Sequence, residues 1–310
     1  MTAAAPPPII VSADDFGLAV EVNEAVETAH RHGILTTASL MVGGAAAADA
    51  VERARRLPGL HVGLHVVLVH GRPLLPAAAV PGLVDAEGAF STRLVRAGFA
   101  WFFVPGIRRQ LAAEIRAQFE AFRATGLRLD HVNAHNHMHL HPTLLGLILK
   151  IGRDYGLRAV RVPYEPPLAS WRAAGGGLAR RLATAAGLAP WIGLLRWRLR
   201  RAGVRSNRNV FGLFDSGAMS AGLLRRMIAQ LPGGDRDPGA RGGGGDLGAG
   251  GGVTEIYFHP ATGRPAELVR QMPTYRHMDE LAALLDPAAG EALRAAGIAR
   301  IGFSDLGAGA

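Results

Sequence analysis

The sequence predicts an α/β fold, a single distorted β/α barrel of about seven strands. Apolar runs of strand length alternate with stretches of helical periodicity from Ile9 to Phe303. Several of these runs end in a residue able to do chemistry, and parallel α/β folds gather their ligands at strand ends. A chain of 310 residues, 49% of them hydrophobic, suffices for one large domain of barrel size. An open doubly wound sheet is the alternative topology for the same alternation.

The elements follow in order. A tail, residues 1–8, is expected to be disordered and the barrel domain to run over residues 9–306. Ile9 to Ala13 forms a short apolar strand that runs into Asp14-Asp15-Phe16-Gly17. A helix over Val20 to His32 stops at Gly33; Ala38 to Val42 is a second strand; an alanine-rich helix over Ala45 to Leu57 ends at Pro58-Gly59. The third strand, His61 to Leu68, places His65 toward its far end. Residues 71–90 are rich in proline and glycine and read as a long loop on the ligand-bearing side. The aromatic run Phe99-Ala100-Trp101-Phe102-Phe103 is read first as core, with an exposed lip as the other reading. Ile107, Leu111, Ile115, Phe119 and Phe122 recur at helical spacing, closed by Gly126.

The next strand, Asp130 to His135, opens the densest motif of the chain: five of the twelve histidines fall between His131 and His141. Side chains alternate faces along a strand, so His131, His135, His137, His139 and His141 share a parity while the strand lasts. Pro142 ahead of an apolar run then starts a helix that extends to Tyr155. Ala159 to Pro163 is a strand carrying Arg161. Over 188–201 an apolar stripe of Leu188, Trp191, Ile192, Leu195 and Leu199 is bordered by arginines, which suits either packing on the barrel or an interfacial helix. Residues 233–252 are glycine-dominated and aperiodic, expected as a disordered insertion. Thr254 to Pro260 is a strand that delivers His259, Met278 to Leu285 is helical, and Ile298 to Phe303 is a last strand.

Composition excludes several functions. Without cysteine there are no disulfides, cysteine metal sites or thiol nucleophiles. The net charge of +9 is almost all arginine, Lys150 being the sole lysine. That balance favours anionic surfaces. Nucleic acid is not expected as a partner, since no zinc-finger spacing, helix-turn-helix pattern or basic patch interleaved with aromatics is found. No signal sequence or apolar run of spanning length is read, so the expected location is cytoplasmic, with peripheral contact at the inner membrane and a homodimer both open.

In a parallel barrel the ends carrying Asp14 with Asp15, His65, His135 and His259 converge on one face. Two histidines and a carboxylate make a three-ligand site with open positions. We assign Asp15, His65 and His135 to one divalent metal ion, zinc favoured and magnesium or manganese allowed. Asp14 is then the general base, Arg161 the residue that orients it, and His259 the general acid.

Ala13-Asp14-Asp15-Phe16-Gly17, Gly63-Leu64-His65, Asp130 through His141 and Phe258-His259-Pro260, in this order, resemble the YdjC-like carbohydrate deacetylases. The resemblance implies a distorted β/α barrel related to polysaccharide deacetylases, with metal-dependent removal of acetyl from an N-acetylated sugar. His137 and His139, within the matched histidine motif, and Phe16, within the matched Asp-Asp-Phe-Gly, are assigned to substrate binding. More narrowly, Ile34 through Gly43, Arg123 through Gly126 and Ile151 through Pro163 are similar to the hopanoid-biosynthesis-associated branch, HpnK. That similarity implies an N-acetylglucosaminyl hopanoid as the glycolipid substrate. Ser12, where relatives often carry asparagine, and the glycine-rich insertion depart from the pattern. Deacetylation of soluble chito-oligosaccharides, a phosphoesterase with two metals on the same scaffold, and a non-catalytic metal- or lipid-binding barrel are the rival readings.

Overall fold

The computed structural model describes residues 6–231 and 252–307. The expected insertion at 233–252 therefore lies, apart from Gly252, outside the described residues, as do the first five residues of the expected tail. Six strands, β1 (Ile9–Phe16), β2 (Thr37–Leu40), β3 (His61–Val66), β4 (Val132–Ala134), β5 (Asn209–Phe211) and β6 (Thr254–Phe258), form one parallel sheet in the order β4-β3-β2-β1-β6-β5. Both faces of such a sheet are covered, which is why β1 and β6 are buried along their whole length.

The sheet curls. Its two edges, β4 and β5, are joined by the segment 159–164. Val132 N–H donates to the Ala159 carbonyl (3.0 Å) and Arg161 N–H to the Val132 carbonyl (3.2 Å) on one side. On the other, Val160 N–H donates to the Arg205 carbonyl (3.0 Å) and Val210 N–H to the Tyr164 carbonyl (2.8 Å). Among the described residues six strands are therefore formed, not the expected seven, and the strand expected over Ala159 to Pro163 is present only as isolated bridges. Its ladder is interrupted because Pro163 has no donor and because the Asn207 side chain takes both main-chain groups of Val162, at 2.7 and 2.9 Å.

The last expected strand, Ile298 to Phe303, is likewise reduced to a bridge between Arg300 and Ile9. Phe303–Asp305 then turns as a short 3-10 helix beneath the amino ends of the strands, where Asp130 accepts from the Phe303 and Ser304 amides (3.2 and 2.7 Å). This segment plugs the bottom of the curl and leaves the carboxyl ends open. The strand that sequence reasoning missed is β5, only three residues long.

Helices cover the outside. α1 (Val20–His32) and α2 (Ala47–Arg55) follow β1 and β2. α3 (Leu94–Phe103) and α4 (Pro105–Ala124) lead to β4, and α5 (Pro142–Gly152) leaves it. α6 (Pro167–Ala174), α7 (Leu178–Arg201), α8 (Ala221–Ile228), α9 (Ala266–Gln271), α10 (His277–Leu284) and α11 (Pro287–Ala295) complete the chain. In α7, Ile192, Leu195 and Leu199 are buried against the core while Trp191 and Trp197 face outward. The aromatic run is not core throughout: Trp101 alone is buried, and Phe99, Phe102 and Phe103 are exposed.

Candidate active site

The end of β1 is the first part of the site. In a regular strand two neighbouring residues point to opposite faces, but the register against β2 shifts between Ala13 and Phe16, and Asp15 adopts a left-handed conformation with φ of 64°. Aspartate tolerates this conformation better than most residues. The kink keeps Asp14 directed into the curl and swings Asp15 toward β3 and β4. Gly17 completes the turn at φ of 97°, where a Cβ would sit 2.9 Å from the Met41 carbonyl oxygen. No other residue fits there.

β3 ends in His65 and β4 in the start of the histidine motif. Asp15 Oδ1 lies 3.1 Å from His135 Nδ1 and 3.4 Å from His65 Nε2, and the two imidazole nitrogens are 3.4 Å apart. All three side chains are buried. The Asn133 side-chain oxygen Oδ1, 2.7 Å from His65 Nδ1, can only accept, so Nδ1 carries the hydrogen and the Nε2 lone pair faces the cluster.

Behind the cluster runs a buried ionic network. Arg161 donates to both oxygens of Asp14 (2.5 and 2.9 Å), to both oxygens of Glu255 (2.6 to 3.0 Å) and to Ser12 Oγ (3.1 Å), with its guanidinium 4.9 Å from the Tyr257 ring centroid. Asn133 Nδ2 donates to Asp14 Oδ1 at 3.2 Å. Burial pushes the Asp14 carboxyl up, but the Arg161 guanidinium outweighs it and holds the group well below the usual carboxylate range. The same pairing raises Arg161 above its ordinary value against the opposing effect of burial.

Beyond His135 the strand parity fails. Asn136 and His137 are both left-handed, with φ of 51° and 53°, which for two consecutive non-glycine residues stores strain at this corner. The corner aims His137 into the cavity, its Nε2 3.1 Å from Tyr257 Oη, and tucks His139 beneath the barrel rim, its Nε2 3.0 Å from the Arg161 carbonyl oxygen. Burial and the Arg161 charge keep His139 neutral, pushed down to about 3.

β6 contributes Glu255, Tyr257 and, just past its end, His259. The His259 main chain is fixed from both sides by α10: Glu280 accepts its N–H at 2.5 Å and His277 Nδ1 donates to its carbonyl at 2.6 Å. Burial pushes the His259 imidazole down to about 4, against the opposing charges of Asp15 and Asp14. At neutral pH it is uncharged.

These elements enclose a cavity of about 480 Å³ lined by Asp14, His65, His135, His137, His259 and Tyr275 among others. The structure thus brings together Asp14, Asp15, His65, His135, Arg161, His137 and His259. Two expected substrate-binding residues are misplaced. Phe16 is fully buried in the main core, because the left-handed Asp15 reverses the parity that would have put Phe16 beside Asp14. His139 is fully buried and lines no part of the cavity. The loop 71–90 also contributes nothing to it, being tied to α4 by Glu114 and Gln110.

Sequence reasoning missed Asn133, Glu255, Tyr257, Tyr275, Glu280 and His70. Glu255 carried a signal, a lone carboxylate inside an apolar strand. Asn133 shared the parity of the histidines around it. His70, left-handed at φ of 53° with its ring 6.3 Å from that of His135, gave no signal.

Asp15, His65 and His135 form a group able to hold a metal ion. Two further observations fit a cation there. Asp15 Oδ2 is buried without a hydrogen-bond partner. Asp14, Asp15 and Glu255 are three buried carboxylates in a site with one guanidinium, Arg161, which contacts Asp14 and Glu255 but not Asp15; with neutral imidazoles that is an excess of two negative charges, which a divalent ion beside Asp15 would balance.

A family model described as YdjC-like protein matches residues 8–295. Carbohydrate deacetylases of Brevibacillus brevis and Geobacillus stearothermophilus are 39% identical over 159 residues and 38% identical over 157 residues, each match covering 51% of this chain and 59% and 58% of the relative. The chain thus spans less than two thirds of the length of these relatives. In fold, it is similar to an Enterococcus faecalis V583 protein provisionally described as a cellobiose-phosphate cleavage protein, with a TM-score of 0.70 and 23% identity over 97% of this chain and 99% of that one.

Proposed function

From the premise that this chain belongs to the YdjC-like protein family, we propose that it is a metal-dependent N-deacetylase of N-acetylated sugars, acting on an N-acetylglucosaminyl hopanoid. The observation that carries the chemistry is the placing of Asp14, held by Arg161, beside the Asp15, His65 and His135 cluster at the wall of one cavity. The relatives of Brevibacillus brevis and Geobacillus stearothermophilus, described as carbohydrate deacetylases, support the same chemistry.

Zinc suits the cluster. Tetrahedral ligands at about 2.0–2.1 Å from a zinc ion stand about 3.3 Å from one another. The three ligand atoms here are 3.1 to 3.4 Å apart. An ion held there would polarise the amide carbonyl and lower the pKa of a water.

The chain's own residues do the rest. The Asp14 carboxylate, ionised at neutral pH, takes a proton from the attacking water. Arg161 and Asn133 fix the carboxylate plane, and Glu255 fixes Arg161 from behind. The water oxygen forms the new bond to the acetyl carbon, the carbon–nitrogen bond breaks, and the amine nitrogen takes up a proton. His259, which lines the cavity, is the residue we assign to supply it. Its imidazole, neutral at rest, takes up the proton released to Asp14 and, as imidazolium, passes it to the leaving nitrogen, which returns both groups to their starting states. His137 and Tyr275 line the cavity where the sugar would sit.

Two sources support the hopanoid: the similarity of three segments, Ile34 through Gly43, Arg123 through Gly126 and Ile151 through Pro163, to the hopanoid-associated branch, and the exposed Phe99, Phe102 and Phe103 of α3, the helix whose Leu94 lines the cavity. No described helix is long and apolar enough to cross a membrane, so a lipid-borne sugar would be met at the bilayer surface. The test is acetate release by metal-stripped, zinc-reconstituted protein offered an N-acetylglucosaminyl hopanoid beside chito-oligosaccharides. Release from the lipid alone is the expected result. Release from both retains the deacetylase and removes the lipid assignment; no release from either with metal bound overturns the reading.

A further inference from the structure

Helix α3 is apolar on two sides. Leu94, Ala97 and Trp101, spaced three and four residues apart, turn inward, and Trp101 is buried. Val95, Phe99, Phe102 and Phe103 recur at helical spacing on the other side and are 74%, 63%, 43% and 66% exposed. A surface helix normally presents polar residues to water, and one apolar all round is either buried or in contact with lipid. The exposed rings are ordered among themselves: Phe99 stacks on Phe103 with centroids 6.2 Å apart, and Phe102 meets Phe103 edge-on at 4.9 Å.

Charge identifies the occupant. Residues 88–113 contain no aspartate or glutamate but four arginines, Arg93, Arg96, Arg108 and Arg109, all exposed. Arg108 lies 5.9 Å from the Phe102 ring centroid, so the cationic border is continuous with the aromatic face. Aromatic side chains inserted at headgroup level, with arginines beside them, are the features of an interfacial helix on an anionic bilayer. Its position matters as well. Leu94, at the start of the helix, lines the same cavity as Asp14, His65 and His135.

We infer that α3 is a docking surface for an anionic lipid bilayer, which it grips through Val95, Phe99, Phe102 and Phe103 bordered by Arg93 and Arg96, and that docking sets the mouth of the catalytic cavity against the headgroup layer. The surface stands on its own, whichever reaction the cavity performs. Its test reads binding, not turnover, so its failure is separable from failure of the deacetylase reading.

The full chain is sedimented with phosphatidylcholine vesicles, with and without phosphatidylglycerol, alongside F99S/F103S and R93Q/R96Q. The wild-type protein is expected to pellet with the anionic vesicles. At roughly 1 kcal/mol for each arginine near such a surface, R93Q/R96Q binds them roughly 30-fold more weakly. F99S/F103S, whose positions are exposed and whose melting temperature should not move, fails to pellet. Absence of wild-type binding overturns the inference, as does binding that survives F99S/F103S. A wild-type dimer in velocity sedimentation that F99S/F103S dissolves would also overturn it, because the face would then belong to a second copy of the chain.

Discussion

Replacing Asp14 by asparagine separates the two adjacent carboxylates by function. Asp14 is not among the three residues that can hold the metal, so D14N should keep its full metal content. It loses the charge that the proposed mechanism uses to accept the proton from water, and kcat should fall by about 10²–10⁴-fold, the usual contribution of a positioned base. The stability cost follows from the network. Arg161 faces two carboxylates, so removing one leaves a balanced Arg161–Glu255 pair instead of an orphaned charge. The loss should therefore sit at the low end for breaking a buried pair, about 3 kcal/mol, or about 5 °C in melting temperature for a chain of 310 residues. R161M strands two carboxylates and should cost more. The assay pairs acetate release with metal analysis on the same D14N preparation. Loss of metal together with turnover would make Asp14 a ligand and refute the division between the carboxylates.

Two other perturbations test the surroundings. Asn133→Ala removes the acceptor 2.7 Å from His65 Nδ1 and should weaken metal affinity about 10–100-fold in a chelator competition, with the fold retained by circular dichroism. Glu165 lies outside the site, and burial pushes its carboxyl up to about 7 from an ordinary 4.5, so the folded state holds its proton more tightly than the unfolded state. The stability this contributes is complete below about 4.5 and is lost as pH rises through about 7, amounting to about 3 kcal/mol. Denaturant unfolding across that window should show the decline in the wild-type protein and a flatter profile in E165Q.

Much of the site could be read in the sequence because it is built at strand ends, and strand ends are visible as apolar runs that stop at polar residues. The Asp14-Asp15 pair, His65, His135 and His259 were each found that way. Tertiary partners were not. Glu255 and Asn133 act through side-chain contacts spanning 94 and 119 residues, to Arg161 and Asp14, and no local pattern reports such pairing. Phe16 was assigned from the Asp-Asp-Phe-Gly motif, which does not report that the left-handed Asp15 turns the next side chain into the core. Ala159 to Pro163 was read as a strand from its apolar residues, yet Pro163 and the Asn207 side chain convert it into a seam. The aromatic run of α3 was read first as core because apolar content does not tell which side of a helix finds a partner. Where β5 lies, three residues carry too little pattern to be seen at all.

Neighbouring like charges in a buried site should each raise the other's pKa, and the backbone resolves this by giving the two carboxylates different partners. Asp14 remains extended and meets Arg161. Asp15, turned aside by its positive φ, meets two imidazoles and keeps one oxygen unpartnered. Asparagine adopts the left-handed conformation as readily as aspartate, so Asp15→Asn removes the charge without straining the turn. Without metal, the wild-type site buries three carboxylates with a single guanidinium, Arg161, and D15N relieves one of them. Metal-free D15N should therefore melt above metal-free wild type, while zinc raises the wild-type melting temperature and leaves D15N where it was. The reverse order in the metal-free pair would mean that the Asp15 charge is already satisfied by protein groups, and the case for a cation built on the excess of two negative charges would fail.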